Sequence, residues 1–329
     1  MDKATLLQVE DLCLTVPYLG SVYPAVEHVS FSMAEGDSFG LIGESGCGKS
    51  LTALAIAGLL PEQILRSSGK IIFDGVDLTQ LTAQQMQAYH GDDISMVFQD
   101  SATSLNPLLT VSYQLREVIE LYCPTADTAV KQKQLAEDSL DEVGLADAAE
   151  ILSKYPHQLS GGQRQRIMLA MAMLPKPRLL LADEPTTALD LTTQQQILDL
   201  IRSLQKKHHL TLLMISHNMR VVQSLCRRTL VMYAGKIVEQ GPTESILQQP
   251  QHPYSKALLG AMPTFDRRGK PLATVEGMVP PLYARNLACT FSPRCPRKTG
   301  ECDLAVALHK QADRLVLCNH PEQAEPESI

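Results

Sequence analysis

The 329-residue sequence contains no apolar run of the roughly 18 to 20 residues that cross a bilayer. Its first five residues, MDKAT, do not begin the apolar core of a secretory signal peptide. Basic residues are not in excess, because 29 lysines and arginines face 36 aspartates and glutamates, for a net charge of −7. A nucleic-acid footprint over the whole chain, which needs a basic domain or stripe, is therefore not expected. These absences predict a cytosolic protein, free or attached to membrane partners.

The length allows two domains, or one large domain with an appendage, and a hydrophobic content of 44% allows a substantial core. The sequence contains eight cysteines. In a reducing compartment these are expected to be thiols or metal ligands rather than disulfides.

A phosphate loop at residues 43–50 matches G-x-x-x-x-G-K-[ST] at every fixed position. An apolar run typical of a buried strand precedes it, and residues 51–60 read as a helix. Glycines let N–H groups surround a polyphosphate, and the helix start adds partial positive charge. Lys49 is expected to reach the β- and γ-phosphates, and Ser50 to bind Mg²⁺. The predicted nucleotide ligands are Gly43, Glu44, Ser45, Gly46, Cys47, Gly48, Lys49, Ser50, Leu51 and Tyr23.

The apolar pattern also predicts the other strands and helices of the first 160 residues. Strands are predicted at 7–16 and 25–33, antiparallel to each other, and at 70–74 and 94–98. Near the first turn, Tyr18 or Tyr23 stacks on an adenine ring, or both are half-buried turn aromatics. Residues 108–158 show helical periodicity without β alternation, which predicts an all-helical insertion.

The segment Ser160-Gly161-Gly162-Gln163 precedes a helix predicted at 164–174. Ser160 and Gln163 match a capping box, so one interpretation is simply a well-formed helix start. The other interpretation is an anion site, because exposed glycine amides lie at a helix N-terminus.

Two later strands are predicted to end in residues that carry chemistry. Residues 179–182 form an unbroken apolar run, typical of a central parallel strand, and Asp183 and Glu184 follow it. The carboxylates either cap the next helix, or Asp183 holds Mg²⁺ and Glu184 orients the attacking water. A strand at 210–215 is followed by His217, which is either structural or a γ-phosphate contact.

The composition changes at about residue 246, where prolines become frequent and hydrophobic periodicity thins. A segment of this kind is expected to need an added cross-link, such as a bound metal, in order to fold. Cys289, Cys295, Cys302 and Cys318 could provide one. They lack the C-x₂-C pair of common zinc ribbons, so a cubane iron–sulfur cluster is the favoured interpretation, with zinc or four unligated thiols as alternatives. Cys13, Cys123 and Cys226 are predicted to be core residues.

Taken in order, the phosphate loop, Gln99, residues 159–163, 179–184 and 188–190, and His217 reproduce the motif set of ATP-binding cassette (ABC) ATPases. The chain resembles that family from about residue 6 to 245. The resemblance implies an α/β P-loop NTPase fold, with a RecA-like parallel sheet core, an antiparallel β subdomain and a helical signature subdomain at about 105–165. Beyond that, the segments His252-Pro253-Tyr254 (HPY) and Pro293-Arg294-Cys295-Pro296 (PRCP) and the four cysteines resemble the C-terminal extension of the oligopeptide, dipeptide and nickel importer subfamily. This match covers residues 246–329, and some members of the subfamily carry a [4Fe-4S] cluster.

The resemblance also implies roles for individual residues. Glu184 is the catalytic base, His217 the switch histidine, and Gln99 a ligand of Mg²⁺ and water that senses the membrane subunit. Asp183 and Ser50 complete the Mg²⁺ set. Residues 160–163 contact ATP bound to the opposite subunit, and Asp190 belongs to the D-loop. Cys47 stands where serine is usual, which predicts that ATP binding is sensitive to thiol reagents.

The function that the resemblance implies is ATP hydrolysis coupled to import of peptides or related small solutes. The implied partners are a second ATP-binding subunit, two membrane permeases and, indirectly, an extracytoplasmic solute-binding protein, with no nucleic acid. The implied location is the cytoplasmic face of a bacterial inner membrane. The alternative is a soluble ABC ATPase that acts on nucleic acid or ribosomes through a metal–cysteine module.

Overall fold

The computed structural model describes residues 4–99, 104–187, 189–261, 275–285, 288–311 and 313–322. Its strands, numbered in chain order, are β1 Thr5–Tyr18, β2 Ser21–Ala34, β3 Ser38–Ile42, β4 Leu65–Phe73, β5 Val76–Asp77, β6 Ile94–Val97, β7 Leu179–Asp183, β8 Thr211–Ser216, β9 Arg228–Tyr233, β10 Lys236–Pro242, β11 Leu308–Gln311 and β12 Arg314–Leu317. Its α-helices are α1 Lys49–Ile56, α2 Ala83–Met86, α3 Val111–Tyr122, α4 Ala129–Glu142, α5 Ala148–Ser153, α6 Gly161–Met173, α7 Leu191–His208, α8 Met219–Leu225, α9 Thr243–Gln248 and α10 Pro253–Gly260.

Two compact units divide the chain. The first comprises residues 1–4, 34–37 and 80–214, and the second comprises 5–33, 38–79 and 215–329. In the first unit β6 and β7 are parallel, with Ile94 opposite Leu179. Residues 108–158 hold α3, α4 and α5 and no strand, which confirms the predicted helical insertion. Their apolar faces bury Leu115, Leu140 and Ile151, as amphipathic helices require.

The second unit contains an antiparallel sheet and a mixed sheet. In the first of these the strand order is β2-β1-β4-β5. In the second, β3 runs parallel to β9, and β10 pairs antiparallel with β9. All five residues of β3 are buried, which is typical of a strand covered on both faces.

The C-terminal extension continues this mixed sheet. The hairpin of β11 and β12 adds to β10, with Glu239 opposite Val316. Tyr233, Tyr254 and Phe291 form a buried aromatic cluster with ring centroids 4.6 to 5.4 Å apart. The described part of the extension is therefore held by strand pairing and aromatic packing. That the segment also needs a cross-link stays a prediction.

Two helix boundaries differ from the predicted ones. Helix α1 begins at Lys49 and ends at Ile56, earlier than residue 60, and Gly58 follows with a φ of 67°. A left-handed glycine just after a helix is a common C-terminal stop. Helix α6 begins at Gly161 rather than at residue 164, because Ser160 caps it directly.

Candidate functional site

The phosphate loop lies between β3 and α1 in the second unit. Gly43, Gly46 and Gly48 have φ values of 154°, 74° and 108°, a backbone that side chains rarely adopt. A Cβ on Gly43 would lie 2.1 Å from the carbonyl oxygen of Met232, so no larger residue fits there. The Lys49 ammonium donates to the carbonyl oxygens of Gly43 at 2.9 Å and Glu44 at 3.0 Å. Loop and lysine thus form one hydrogen-bonded unit at a helix N-terminus.

The remaining predicted nucleotide ligands differ in exposure. Ser45 and Gly46 are exposed, Ser50 and Leu51 are half-buried, and Cys47 is fully buried. Burial raises the pKa of the Cys47 thiol, partly offset by the nearby Lys49 ammonium. Less thiolate at a given pH means slower reaction with electrophiles. The predicted sensitivity of the loop to thiol reagents is therefore not supported by the position of Cys47.

The strand that was predicted to carry the carboxylates is β7 in the first unit, and all of its residues are buried. Asp183 is its last residue, and Glu184 follows with a φ of 46°. The Gln99 amide donates to the Glu184 carboxylate at 3.3 Å, and the Thr187 hydroxyl donates to the same oxygen at 2.9 Å. The structure thus brings Gln99 and Glu184 together, although 85 residues separate them in sequence.

His217 follows β8 and is exposed in the second unit. Lys49 and Ser50 also belong to the second unit, whereas Gln99, Asp183 and Glu184 belong to the first. Three of these six residues, Gln99, Asp183 and Glu184, therefore lie at the carboxyl ends of the paired strands β6 and β7.

Residues 160–163 begin helix α6 with a complete capping box. The Ser160 hydroxyl accepts from the Gln163 N–H at 3.2 Å, and the Gln163 side chain accepts from the Ser160 N–H at 2.9 Å. A Cβ on Gly162 would lie 2.6 Å from Cγ2 of Thr193, so glycine permits close packing of α6 against α7. The capping interpretation is confirmed. The anion interpretation, which would use the N–H groups of Gly161 and Gly162, stays a prediction.

Asp190 caps α7 beside this contact. Its carboxylate accepts from the N–H groups of Thr192 and Thr193 and from the Thr193 hydroxyl. These hydrogen bonds, chiefly from the Thr193 backbone, lower the pKa of Asp190. Thr193 therefore links the predicted D-loop aspartate to Gly162. Ala188, in the same predicted loop, lies outside the described residues.

The two tyrosine candidates occupy neighbouring positions with ring centroids 6.5 Å apart. Tyr18 stacks on Tyr283 of the extension, with centroids 6.2 Å apart and planes 8° from parallel. One face of Tyr18 is therefore covered by protein. Tyr23 is half-buried and has no such stacked partner among the described aromatic residues.

The four cysteines of the extension are free thiols that border one cavity of about 10 Å³. That volume is about the room of one water molecule. Burial raises the pKa of Cys318 to about 11 and raises the pKa of Cys289 and Cys295. Among the described residues, no group of three or more histidine, cysteine, aspartate or glutamate side chains has a geometry that could hold a metal ion. The predicted [4Fe-4S] cluster has no support from this arrangement. Of the three cysteines that were predicted to be core residues, Cys226 is buried, whereas Cys13 and Cys123 are only partly buried.

Comparison with known proteins agrees with the motif geometry. The ABC transporter family profile matches residues 26–187, and the oligopeptide/dipeptide transporter C-terminal region matches 238–302. The dipeptide transport ATP-binding protein DppD of Bacillus subtilis is 44% identical over 299 residues, covering 91% of this chain and 89% of DppD. The chain belongs to the ATP-binding subunits of the oligopeptide/dipeptide ABC transporter family. Its ABC fold and its activity as an ATPase follow from this membership.

Further relatives give the same result. DppD of Escherichia coli is 41% identical over 318 residues, covering 96% of this chain and 97% of that protein. A dimeric ATP-binding cassette solved with bound ADP and phosphate is 26% identical, with a TM-score of 0.65, and the match covers 72% of this chain and 99% of that cassette. Nothing in these matches supports the alternative of an ATPase acting on nucleic acid or ribosomes. No helix of the described residues is long and apolar enough to span a bilayer.

Three residues near the nucleotide motifs of this ABC subunit were missed by sequence reasoning. Tyr283 covers Tyr18, while Arg294 and Tyr254 contact Glu44 of the phosphate loop. Tyr254 and Arg294 belong to the segments HPY and PRCP, which resemble the importer subfamily, and that was the available indication that they matter. Their contact with the loop could not be inferred, because 210 and 250 residues separate them from Glu44.

Proposed function

We propose that this ATPase energises an importer for peptides or related small solutes. The observation that carries the proposal is the contact between Gln99 and Glu184 at the end of β7, in a chain whose relatives are named dipeptide and oligopeptide transport ATP-binding proteins. A carboxylate that is hydrogen-bonded but still half-buried rather than enclosed can orient a water molecule. Glu184 is the proposed base, and Gln99 holds its carboxylate in place.

Each short motif of the proposed nucleotide site has its own role. The loop amides and Lys49 bind the phosphates, with Tyr23 or Tyr18 against the adenine and His217 at the γ-phosphate. Asp183, Ser50 and Gln99 would hold Mg²⁺. Their oxygen atoms are the ligand type that this ion prefers, and the ion would neutralise charge on the phosphates.

The proposed assembly contains two ATP-binding subunits and two membrane permeases, and it receives solute from an extracytoplasmic binding protein. Residues 160–163 and Asp190 are proposed to complete the site of the second ATP-binding subunit. The permeases are expected to dock near Gln99. This assembly places the chain at the cytoplasmic face of the membrane as a peripheral subunit. Residues 1–245 are the proposed ATPase domain, with the signature subdomain at about 105–165, and residues 246–329 are the proposed extension.

We propose a [4Fe-4S] cluster in the extension on the chemistry of its donors alone, because cysteine thiolates are the ligands that such clusters take. Ligation would require all four thiols to lose protons, and burial raises the pKa of Cys289, Cys295 and Cys318, which makes the loss of their protons unfavourable without a cation. Anaerobically purified protein should contain about four irons per chain and show visible absorption that Cys302→Ser removes and Cys13→Ser preserves. Protein that contains one zinc, or no metal, would contradict the cluster.

The transport proposal is tested with the assembled complex. The chain is co-purified with its permeases and second ATP-binding subunit, reconstituted in proteoliposomes, and supplied with a binding protein loaded with a dipeptide or a longer peptide. Stimulated ATP hydrolysis with uptake of labelled peptide is expected, and Glu184→Gln should abolish both. If only a non-peptide solute stimulated ATP hydrolysis, the proposed solute class would be wrong, but the assignment as an ATPase would still hold.

A further inference from the structure

Glu44, the second residue of the phosphate loop, is paired with an arginine of the extension. The Nη1 and Nη2 groups of Arg294 donate to the two carboxylate oxygens of Glu44 at 2.6 and 3.0 Å. The Arg294 side chain is only 4% exposed. A bidentate arginine–carboxylate pair fixes the relative orientation of the two side chains as well as their distance. Shielding from water strengthens the attraction between the two charges.

Arg294 is itself held by the backbone of the extension. Its Nε donates to the carbonyl oxygen of Glu276 at 2.8 Å, and Nη2 donates to that of Val275 at 2.9 Å. Nη1 also donates to the Tyr233 hydroxyl at 3.3 Å. The guanidinium is thus directed at Glu44 before any nucleotide binds.

A second contact acts on the main chain of the same residue. The Glu44 N–H donates to the hydroxyl of Tyr254 at 2.9 Å. Tyr254 is fully buried in the aromatic cluster, so its hydroxyl has little freedom. The Glu44 carbonyl oxygen accepts from Lys49 at 3.0 Å. Side chain, N–H and carbonyl of Glu44 are therefore all restrained, two of them by the extension.

We propose that Arg294 and Tyr254 are positioning residues that set the conformation of the phosphate loop, so that ATP affinity depends on the folded extension. This inference rests on the proposed role of the loop as the ATP site. A loop held in its binding conformation loses less entropy when it closes around phosphates. Pairing Glu44 with Arg294 also neutralises a carboxylate that would otherwise repel the polyphosphate.

The test measures the Kd of a fluorescent ATP analogue with the full-length chain. Arg294→Gln should raise the Kd roughly tenfold. Arg294→Lys should restore only part of the lost affinity, because lysine cannot form the bidentate contact. Lys298→Gln is the matched control: it removes an exposed pair with Asp303 in the same extension and should leave the Kd unchanged.

A double variant separates positioning from simple anchoring. Arg294→Gln leaves Glu44 charged and unpaired, so Glu44→Gln combined with Arg294→Gln should bind ATP more tightly than Arg294→Gln alone. Tyr254→Phe keeps the aromatic cluster and removes only the acceptor of the Glu44 N–H. It should raise the Kd about threefold, which provides a test even if Arg294→Gln fails to fold.

Two results would overturn the inference. One is Arg294→Gln melting at a lower temperature yet binding ATP with the wild-type Kd, since the pair would then only anchor the extension. The other is Tyr254→Phe binding ATP as the wild type does. If the wild-type chain itself bound no ATP analogue, the proposed ATP site would fail, and the two cases are thus distinguishable.

Discussion

At the scale of single residues, Glu184 provides the sharpest test of the ATPase site. Glu184→Gln preserves shape and retains an oxygen that can accept from Thr187, which now donates at 2.9 Å, but an amide cannot take a proton. Hydrolysis should slow by about 10²- to 10⁴-fold while ATP binding persists. Single-turnover hydrolysis and equilibrium binding of ATP measure the two effects. Lys49→Ala is the contrasting variant and should weaken binding itself. Hydrolysis by Glu184→Gln at the wild-type rate would refute the assignment.

Cys47 is the residue whose pH response the structure predicts. Burial raises its pKa, so the thiolate fraction is smaller at every pH and alkylation should begin only at higher pH than for an ordinary cysteine. In native protein at pH 7.5, iodoacetamide should modify the partly exposed Cys13 and spare Cys47. Peptide mass spectrometry with protein unfolded in urea as the reference makes the comparison. Rapid modification of native Cys47 would be inconsistent with its burial.

At the scale of elements, the packing of α6 against α7 depends on Gly162. A Cβ there would lie 2.6 Å from Cγ2 of Thr193, so Gly162→Ala should destabilise the fold by about 1–3 kcal/mol through overpacking. Adding Thr193→Ser removes that methyl group, keeps a hydroxyl for Asp190, and should restore the melting temperature. Gly260→Ala is the control, because its added Cβ would have no atom within 4 Å apart from its chain neighbours and the backbone of its own helix. Equal melting of Gly162→Ala and the wild type would exclude the steric explanation.

The hairpin of β11 and β12 depends on the buried pair of Arg314 and Glu239. Glu239 is fully buried and also accepts from the N–H groups of Gln251 and His252, each at 3.0 Å. Arg314→Leu leaves that carboxylate without its cation, which costs about 3–5 kcal/mol for a buried pair. Limited proteolysis should then cut the extension first and leave the remainder intact. The exposed Lys310→Gln should behave as wild type, and equal resistance of Arg314→Leu would count against the pair.

At the scale of the whole molecule, the prediction concerns assembly. Residues 160–163 are proposed to contact ATP on another subunit, so one chain should hold half of each active site. Glu184→Gln with ATP and Mg²⁺ should form a complex of two ATP-binding subunits, alone or with a co-expressed homologous subunit, because slow hydrolysis prolongs the closed form. Light scattering measures the mass. Wild-type turnover by a preparation that stays monomeric throughout the assay would refute the shared site.

Short contiguous sequence patterns were sufficient to predict much of the local structure of this protein. The phosphate loop, the apolar strand β7 with Asp183 and Glu184, and the cap at Ser160 were all predictable, because glycine dihedrals, strand burial and helix capping depend on neighbouring residues. The exact ends of helices were less predictable. The observed ends of α1 and α6 differ from the predicted ones by a few residues.

Tertiary structure alone decided which distant residues meet. Gln99 reaches Glu184 across 85 residues, and Arg294 reaches Glu44 across 250. No local periodicity encodes such contacts, since they arise only when packed elements bring separate segments together. The same holds for the extension, whose composition suggested a poorly packed segment. Its described residues pack through strand pairing with β10 and through the aromatic cluster, both of which need partners elsewhere in the chain.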